Sequence, residues 1–194
     1  MGKFTQNVND IELEFLASKS LFSPGSIDKG TLFMIQSAEV VMSDYILDLG
    51  CGYGAVGIYF AKILGSQNVV MTDIDAKALE FAKQNAELNG VGEIRIIQSD
   101  GFKDLAISGF THIFSNPPYH ADFSIPKHFI EKGFNRLMLG GKMHMVTKRK
   151  DWYKNKFTAI FGGVKVLQQD GYYVFQAQKR QYDYANRIQW TRRQ

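Results

Sequence analysis

Short apolar runs and longer amphipathic stretches alternate along the middle of the chain. Residues 45–49, 68–72, 94–98, 112–115 and 143–147 are short and mostly rich in branched or aromatic side chains, which predicts strands. Two longer segments separate the first three. Ala55–Leu64 is apolar almost all round and stops at Gly65. Ala76–Leu88 has Asp75 as a ready N-cap, Leu79, Ala82 and Ala86 on one side, and Asn89-Gly90 as a stop signal, so both segments are predicted helices. A further helix is expected to start at Pro126 behind Ser124, to bury Phe129, Ile130, Phe134 and Leu137, and to end before Gly140-Gly141.

Strand and helix alternating in this way imply right-handed crossovers and a parallel sheet covered on both faces. The end of the chain departs from the pattern: residues 164–169 and 172–178 flank Asp170-Gly171, a pair suited to positive φ, and predict an antiparallel hairpin. The expected fold is α/β, a mostly parallel sheet closed by that hairpin.

Composition narrows the class. The 194 residues are 45% hydrophobic and 22% charged, as in an ordinary globular domain that buries its core without disulfide staples. Cys51 is the single cysteine, which excludes an internal disulfide and a cysteine zinc cage and fits a reducing compartment. The start, MGKFTQNVNDIELEF, lacks the apolar core of a signal peptide, and no run nears the roughly 18 apolar residues of a membrane span. A cytoplasmic protein without membrane partners is expected. Net charge is +4 but unevenly spread: residues 1–97 hold 7 Lys/Arg against 12 Asp/Glu, and residues 98–194 hold 16 against 7. That asymmetry suits either a solvated face or a polyanionic partner.

The candidate chemistry lies at the strand ends. The first predicted strand runs through Asp48-Leu49-Gly50-Cys51-Gly52-Tyr53-Gly54 into a helix, where glycines admit a ligand close to the backbone and the helix N-terminus offers free N–H donors. Residues 52–57 also fit G-x-G-x-x-G. Against a dinucleotide site stand the late start of those glycines, the lack of any hydride-transfer site, and Asp48, which would repel a pyrophosphate but attract an ammonium group. Asp73 ends the second strand and can accept from two ribose hydroxyls. Asp75 is assigned instead to the helix cap. Asp100 ends the third and can accept from an adenine amine, while Ile74 can cover the ring. Each aspartate alone is a common turn or cap residue, but three at successive strand ends converge on one crevice.

After the fourth strand comes Asn116-Pro117-Pro118-Tyr119. The exocyclic amine of a base or amide is a poor nucleophile because its lone pair is delocalised. Two oxygens that accept its N–H bonds draw that pair toward an electrophile, and the Asn116 side chain and Pro117 main chain supply two such acceptors. The prolines hold the loop rigid, and Tyr119 offers a ring for stacking a flipped base. None of His112, His120, His128 and His144 is assigned a catalytic role.

With these pieces the chain resembles class I S-adenosylmethionine-dependent methyltransferases, and more narrowly the small-domain methyltransferase family that includes the small-subunit rRNA guanine-N2 enzymes. The resemblance spans roughly residues 10–178. It implies a Rossmann-like seven-stranded sheet, with residues 1–40 a leader folding over the cofactor, 41–180 the core and 181–194 a basic aromatic tail. Leu21-Phe22-Ser23 and Ile27-Asp28-Lys29-Gly30-Thr31 are similar to the family's leader, with Thr31 toward the methionine carboxylate. Asp48, Gly50 and Gly52 match the cofactor loop, Asp73 the ribose site, Asp100 the adenine site, and Asn116–Tyr119 the catalytic loop; Ile74, Gly101 and Asn116 are counted with the cofactor-binding residues. The longer rRNA enzymes carry an extra N-terminal half that is not matched here, so target recognition does not carry over. Lys179–Gln194 extends past the family's usual end, and its mix of cations with Tyr182, Tyr184 and Trp190 suits either RNA or an apolar strip docked on the domain.

The reading implied is an N-methyltransferase acting on an RNA base, guanine N2 of ribosomal RNA foremost. Adenine N6 or a protein glutamine are alternative acceptors, and a non-catalytic RNA-binding assembly factor is the non-enzymatic alternative.

Overall fold

The structure, a computed structural model, describes residues 2–17, 25–118 and 122–185. It opens with a hairpin, β1 (Gly2–Val8) and β2 (Ile11–Ala17), turned by Asn9 and Asp10 at φ 47° and 65°. Helix α1 (Lys29–Gln36) follows, capped by the Asp28 carboxylate, which accepts from the Thr31 N–H at 3.0 Å. Then come β3 (Ile46–Leu49), α2 (Ala55–Leu64), β4 (Val69–Asp73), α3 (Ala76–Leu88), β5 (Arg95–Gln98), β6 (Phe110–Ser115) and α4 (Ser124–Arg136). The chain finishes with β7 (Leu137–Thr147), α5 (Asp151–Phe161), β8 (Lys165–Gln169) and β9 (Tyr172–Gln178).

Strands β3 to β9 form one sheet of seven in the order β5-β4-β3-β6-β7-β9-β8, and only β9 runs against the rest. Asp170 and Gly171 turn the final hairpin at φ 50° and 80°, the two positive values that a two-residue turn of this hand needs. One apolar layer, with Phe60 and Phe114 stacked at 4.5 Å, joins the sheet to α1, α2, α3 and the β1–β2 hairpin. The other, around Phe110, Phe134, Phe157 and Phe175, joins it to α4 and α5. Strand β3 feeds both, since Ile46 packs into the first and Leu47 and Leu49 into the second.

Two boundaries differ from expectation. Ser124 is the first residue of α4 behind Phe123 at the N-cap, and its N–H donates to Asp122 Oδ1 at 2.8 Å. Leu137 is buried as expected but opens β7, opposite Phe110, so α4 ends at Arg136 rather than at the glycines. Those glycines lie within β7, where the register against β6 shifts between Phe110 and His112. A Cβ on Gly141 would come within 2.8 Å of the Phe110 carbonyl oxygen, so only glycine fits that bend. Helix α5 and the β1–β2 hairpin were not expected. Both carry local signals, Gly162-Gly163 behind an amphipathic turn and Asn9-Asp10 between alternating runs.

Candidate active site

The C-terminal ends of β3, β4, β5 and β6 open on a cleft of about 1240 Å³, where the strand order reverses direction between β3 and β6. It brings together Thr31, Asp48, Gly50, Gly52, Asp73, Ile74, Asp100, Gly101, Asn116, Pro117 and Pro118. Tyr119 and Leu21-Phe22-Ser23 lie outside the described residues.

The glycine loop is pinned from below. The N–H groups of Gly50 and Cys51 donate to the Thr72 carbonyl at 2.8 and 2.9 Å, and Gly52 N–H donates to Asp73 Oδ2 at 2.8 Å. Gly50, Gly52 and Gly54 all have positive φ, which lets the loop leave β3 and turn directly into α2. At Gly57, in the first turn of α2, a Cβ would run into Met71 of β4. That close approach carries the Gly57 N–H to Asp48 Oδ2 at 2.8 Å. The last glycine of the G-x-G-x-x-G spacing therefore serves helix–strand packing.

Asp48 is buried, and desolvation raises its carboxyl from 3.8 to about 7; the Gly57 N–H opposes the rise and the charge of Asp73 adds to it. Burial likewise pushes the Cys51 thiol well up, which leaves it a packing residue and no nucleophile. Asp73 also accepts from Asp75 N–H at 3.0 Å, and its carboxylate retains capacity for further donors. Asp75 caps α3 through Lys77 N–H at 2.9 Å, as its position implied. Ile74 stands 62% exposed at the cleft, and Asp100 is exposed beside it. The rings of Phe129 and His128 would lie 3.1 and 3.2 Å from a Cβ on Gly101, so α4 supplies that wall.

At the other end, Ser115 Oγ donates to the Leu49 carbonyl at 2.8 Å and ties the end of β6 to the glycine loop. Asn116 Nδ2 donates to Thr31 Oγ1 at 2.8 Å and to Asp28 Oδ2 at 3.2 Å. Asp28 is held in turn by Tyr172, whose hydroxyl donates to Oδ1 at 3.0 Å. With the amide nitrogen committed, Asn116 Oδ1 is left buried without a hydrogen-bond partner among the described residues. Thr72 Oγ1 is another such atom on the cleft.

Two residues escaped the sequence reading. Asp28 sits in the Ile27–Thr31 segment, and only the fold brings it to Asn116. Asn85 is fully buried on α3; it donates to the Tyr53 carbonyl at 2.9 Å and bonds both the N–H and the carbonyl of Leu16, joining leader hairpin and glycine loop. Mid-helix asparagine carries no such signal by itself.

An acidic floor, a buried acceptor at the loop end and an apolar side chain between them fit an adenosyl ligand that carries an ammonium group, and not a pyrophosphate. Fold and cleft together define a class I methyltransferase that uses S-adenosylmethionine. The chain belongs to the methyltransferase small domain family, whose model matches residues 12–176. It is 31% identical over 174 residues to the uncharacterized protein YbxB of Bacillus subtilis, with 87% of each chain covered. It is 32% identical over 167 residues to ribosomal RNA small subunit methyltransferase C of Psychromonas ingrahamii, covering 84% of this chain and 47% of that one. Among solved structures it superposes on the T. thermophilus 16S rRNA guanine-N2 methyltransferase RsmC in complex with AdoMet and guanosine. The TM-score is 0.83 at 25% identity, with 92% of this chain and 50% of that chain covered. The chain thus spans about half the length of the ribosomal RNA enzymes it matches. Among the described residues no helix is long and apolar enough to cross a membrane.

Proposed function

We propose that this protein transfers a methyl group from S-adenosylmethionine to the exocyclic amino group of an RNA base, guanine N2 of ribosomal RNA foremost, in the cytoplasm. The observation that carries the reading is the orphaned Oδ1 of Asn116. An amide pinned through its nitrogen presents only an acceptor, which suits an N–H donor and not a carbonyl or a carboxylate. The relatives named ribosomal RNA small subunit methyltransferase C support an RNA target, and the guanosine in the T. thermophilus complex supports the choice of base.

In this reading Asp73 accepts from the ribose hydroxyls, Ile74, Asp100 and Gly101 frame the adenine, and Asp48, Gly50, Gly52 and Thr31 hold the amino-acid end. The bound cofactor supplies a methyl group made electrophilic by its sulfonium. Asn116 Oδ1 and the Pro117 carbonyl accept the two N–H bonds of the target amine, orient its lone pair, and stabilise the positive charge that develops on nitrogen. Pro117 and Pro118 keep that geometry preformed, and Tyr119 is assigned the stacking of the base. Residues 1–40 act as a leader closing over the cofactor in this scheme, and 41–180 as the catalytic core.

The test is mass-spectrometric nucleoside analysis of ribosomal RNA incubated with the protein and methyl-labelled cofactor. Labelled N2-methylguanosine is the expected product. Labelled N6-methyladenosine would move the target to adenine, and label on protein glutamine alone would overturn the RNA reading.

A further inference from the structure

The loop leaving β7 holds three consecutive cations, each over an aromatic ring. Lys148 Nζ lies 4.9 Å from the centre of the Tyr172 ring, Arg149 Cζ 4.8 Å from that of Phe123, and Lys150 Nζ 5.5 Å from that of Tyr173. Trp152 stacks on Phe123 with centroids 4.4 Å apart. We propose that this comb is the docking surface for the backbone of single-stranded RNA flanking the target nucleotide, Arg149 and Lys150 taking its phosphates. The inference rests on the RNA-methylating reading above and adds where the RNA lies.

Position is the first argument. Strands β6 and β7 are parallel neighbours with Ser115 opposite Met145. The comb therefore leaves the sheet one strand spacing to the side of Asn116, about 5 Å, and roughly 7 Å further along at about 3.3 Å per residue. The link is also physical, because Tyr172 lies beneath Lys148 and bonds Asp28, which bonds Asn116.

Charge and order are the second. Arg149 and Lys150 are exposed and form no ion pair among the described residues, and Asp151 beside them lies in the first turn of α5. The ring under each cation limits its rotamers before any partner arrives, so less freedom is lost on binding. The β4 and β5 ends of the cleft carry Asp73, Asp75 and Asp100, which turn a phosphate chain away from the cofactor end.

Binding of a single-stranded RNA oligonucleotide by the full chain, followed by fluorescence anisotropy from 50 to 500 mM salt, tests this. The arms are wild type, the double variant Arg149→Gln with Lys150→Gln, and a control with the same charge change elsewhere, Lys83→Gln with Lys165→Gln. The comb variant is expected to flatten the log–log salt slope by about 1.4, two contacts at about 0.7 each, while the control keeps the wild-type slope. Calorimetry with S-adenosylmethionine shows that each variant is folded. A comb variant with the wild-type slope, a wild type that binds no RNA, or polyglutamate competing as well as RNA at the comb would each overturn the surface. RNA binding that depends on the comb, in a protein that methylates no RNA, would leave the surface standing and remove the reading it rests on.

Discussion

Thr31 and Asn116, 85 residues apart, meet through a 2.8 Å hydrogen bond in which the asparagine amide donates to the threonine hydroxyl. The Thr31 hydroxyl turns its own proton toward Asp28 Oδ2 at 3.4 Å and so meets the asparagine as an acceptor. Asp28 reinforces the bond from the same turn, since a carboxylate offers Nδ2 an acceptor and would repel Oδ1.

Replacing Asn116 by alanine removes the orphaned acceptor together with the amide's bonds to Thr31 and Asp28. Turnover is expected to fall by roughly 10²–10³, the scale for one preorganised polar contact to the transition state, with cofactor affinity near wild type. Single-turnover kinetics alongside calorimetry would check both. Wild-type turnover in the alanine variant would remove the assigned role of this loop.

Asp28→Ala acts at one remove. It strips the α1 cap, worth about 1 kcal/mol, and frees the Asn116 amide to rotate. The expected result is a modest drop in melting temperature with a larger drop in kcat than in cofactor affinity. Tyr172→Phe, which removes only the hydroxyl holding Asp28, should reproduce part of the kcat loss. Equal losses in kcat and affinity would make Asp28 a purely structural residue.

Asp73→Ala should weaken S-adenosylmethionine binding by about 1.5–3 kcal/mol, the range for hydrogen bonds to a charged acceptor, or roughly 10- to 150-fold in Kd. Some of that loss will come through the Gly52 N–H that Asp73 also holds. Titration with NAD is the control. A variant that keeps wild-type affinity would take the ribose away from this residue.

Asp48 predicts a pH dependence. Its carboxyl, buried, titrates at about 7 in the folded chain against 3.8 ordinarily. Because the folded value is the higher one, the associated stability is complete below about pH 4 and is lost as pH rises through 7. A ligand ammonium favours the ionised carboxylate, so cofactor binding should tighten between pH 6 and 8 and release a proton. Asp48→Asn should flatten that profile. Calorimetry in buffers of different ionisation enthalpy counts the proton; affinity independent of pH in the wild type would exclude Asp48 as the counter-charge.

The tail begins as structure. Tyr184 packs its ring edge-on against Phe134 at 5.1 Å and donates its hydroxyl to the Glu131 carbonyl at 3.0 Å, while Tyr182 is 78% exposed. Residues 186–194, with Trp190, lie outside the described part. Deleting 181–194 should therefore lower the melting temperature, since it removes the Tyr184 anchor, which deletion of 187–194 keeps. If the shorter deletion instead flattens the salt dependence of RNA binding, the far tail belongs to the RNA surface as well.

Local signals made most of the sheet legible. The short apolar runs, the Asp75 cap, and Asp170-Gly171 with its positive φ each act within a few residues, so reading along the chain recovers them. The carboxylates Asp48, Asp73 and Asp100 were legible for the same reason: they end strands, and parallel strands place their ends at one edge. The end of α4 was not, because Leu137 is apolar and suits the core as well from a helix as from a strand. Only its pairing opposite Phe110 decides between them.

By itself, then, the sequence determined the alternating strands and helices around the central sheet and the hairpin that closes it, because periodicity and turn chemistry are short-range. The tertiary structure alone decided which way the Asn116 amide points, that Tyr172, 144 residues from Asp28, secures it, and that Lys148, Arg149 and Lys150 stand over rings beside the same loop. Those facts depend on which side chains packing brings within about 3 to 6 Å, and no spacing along a chain encodes a neighbour that distant.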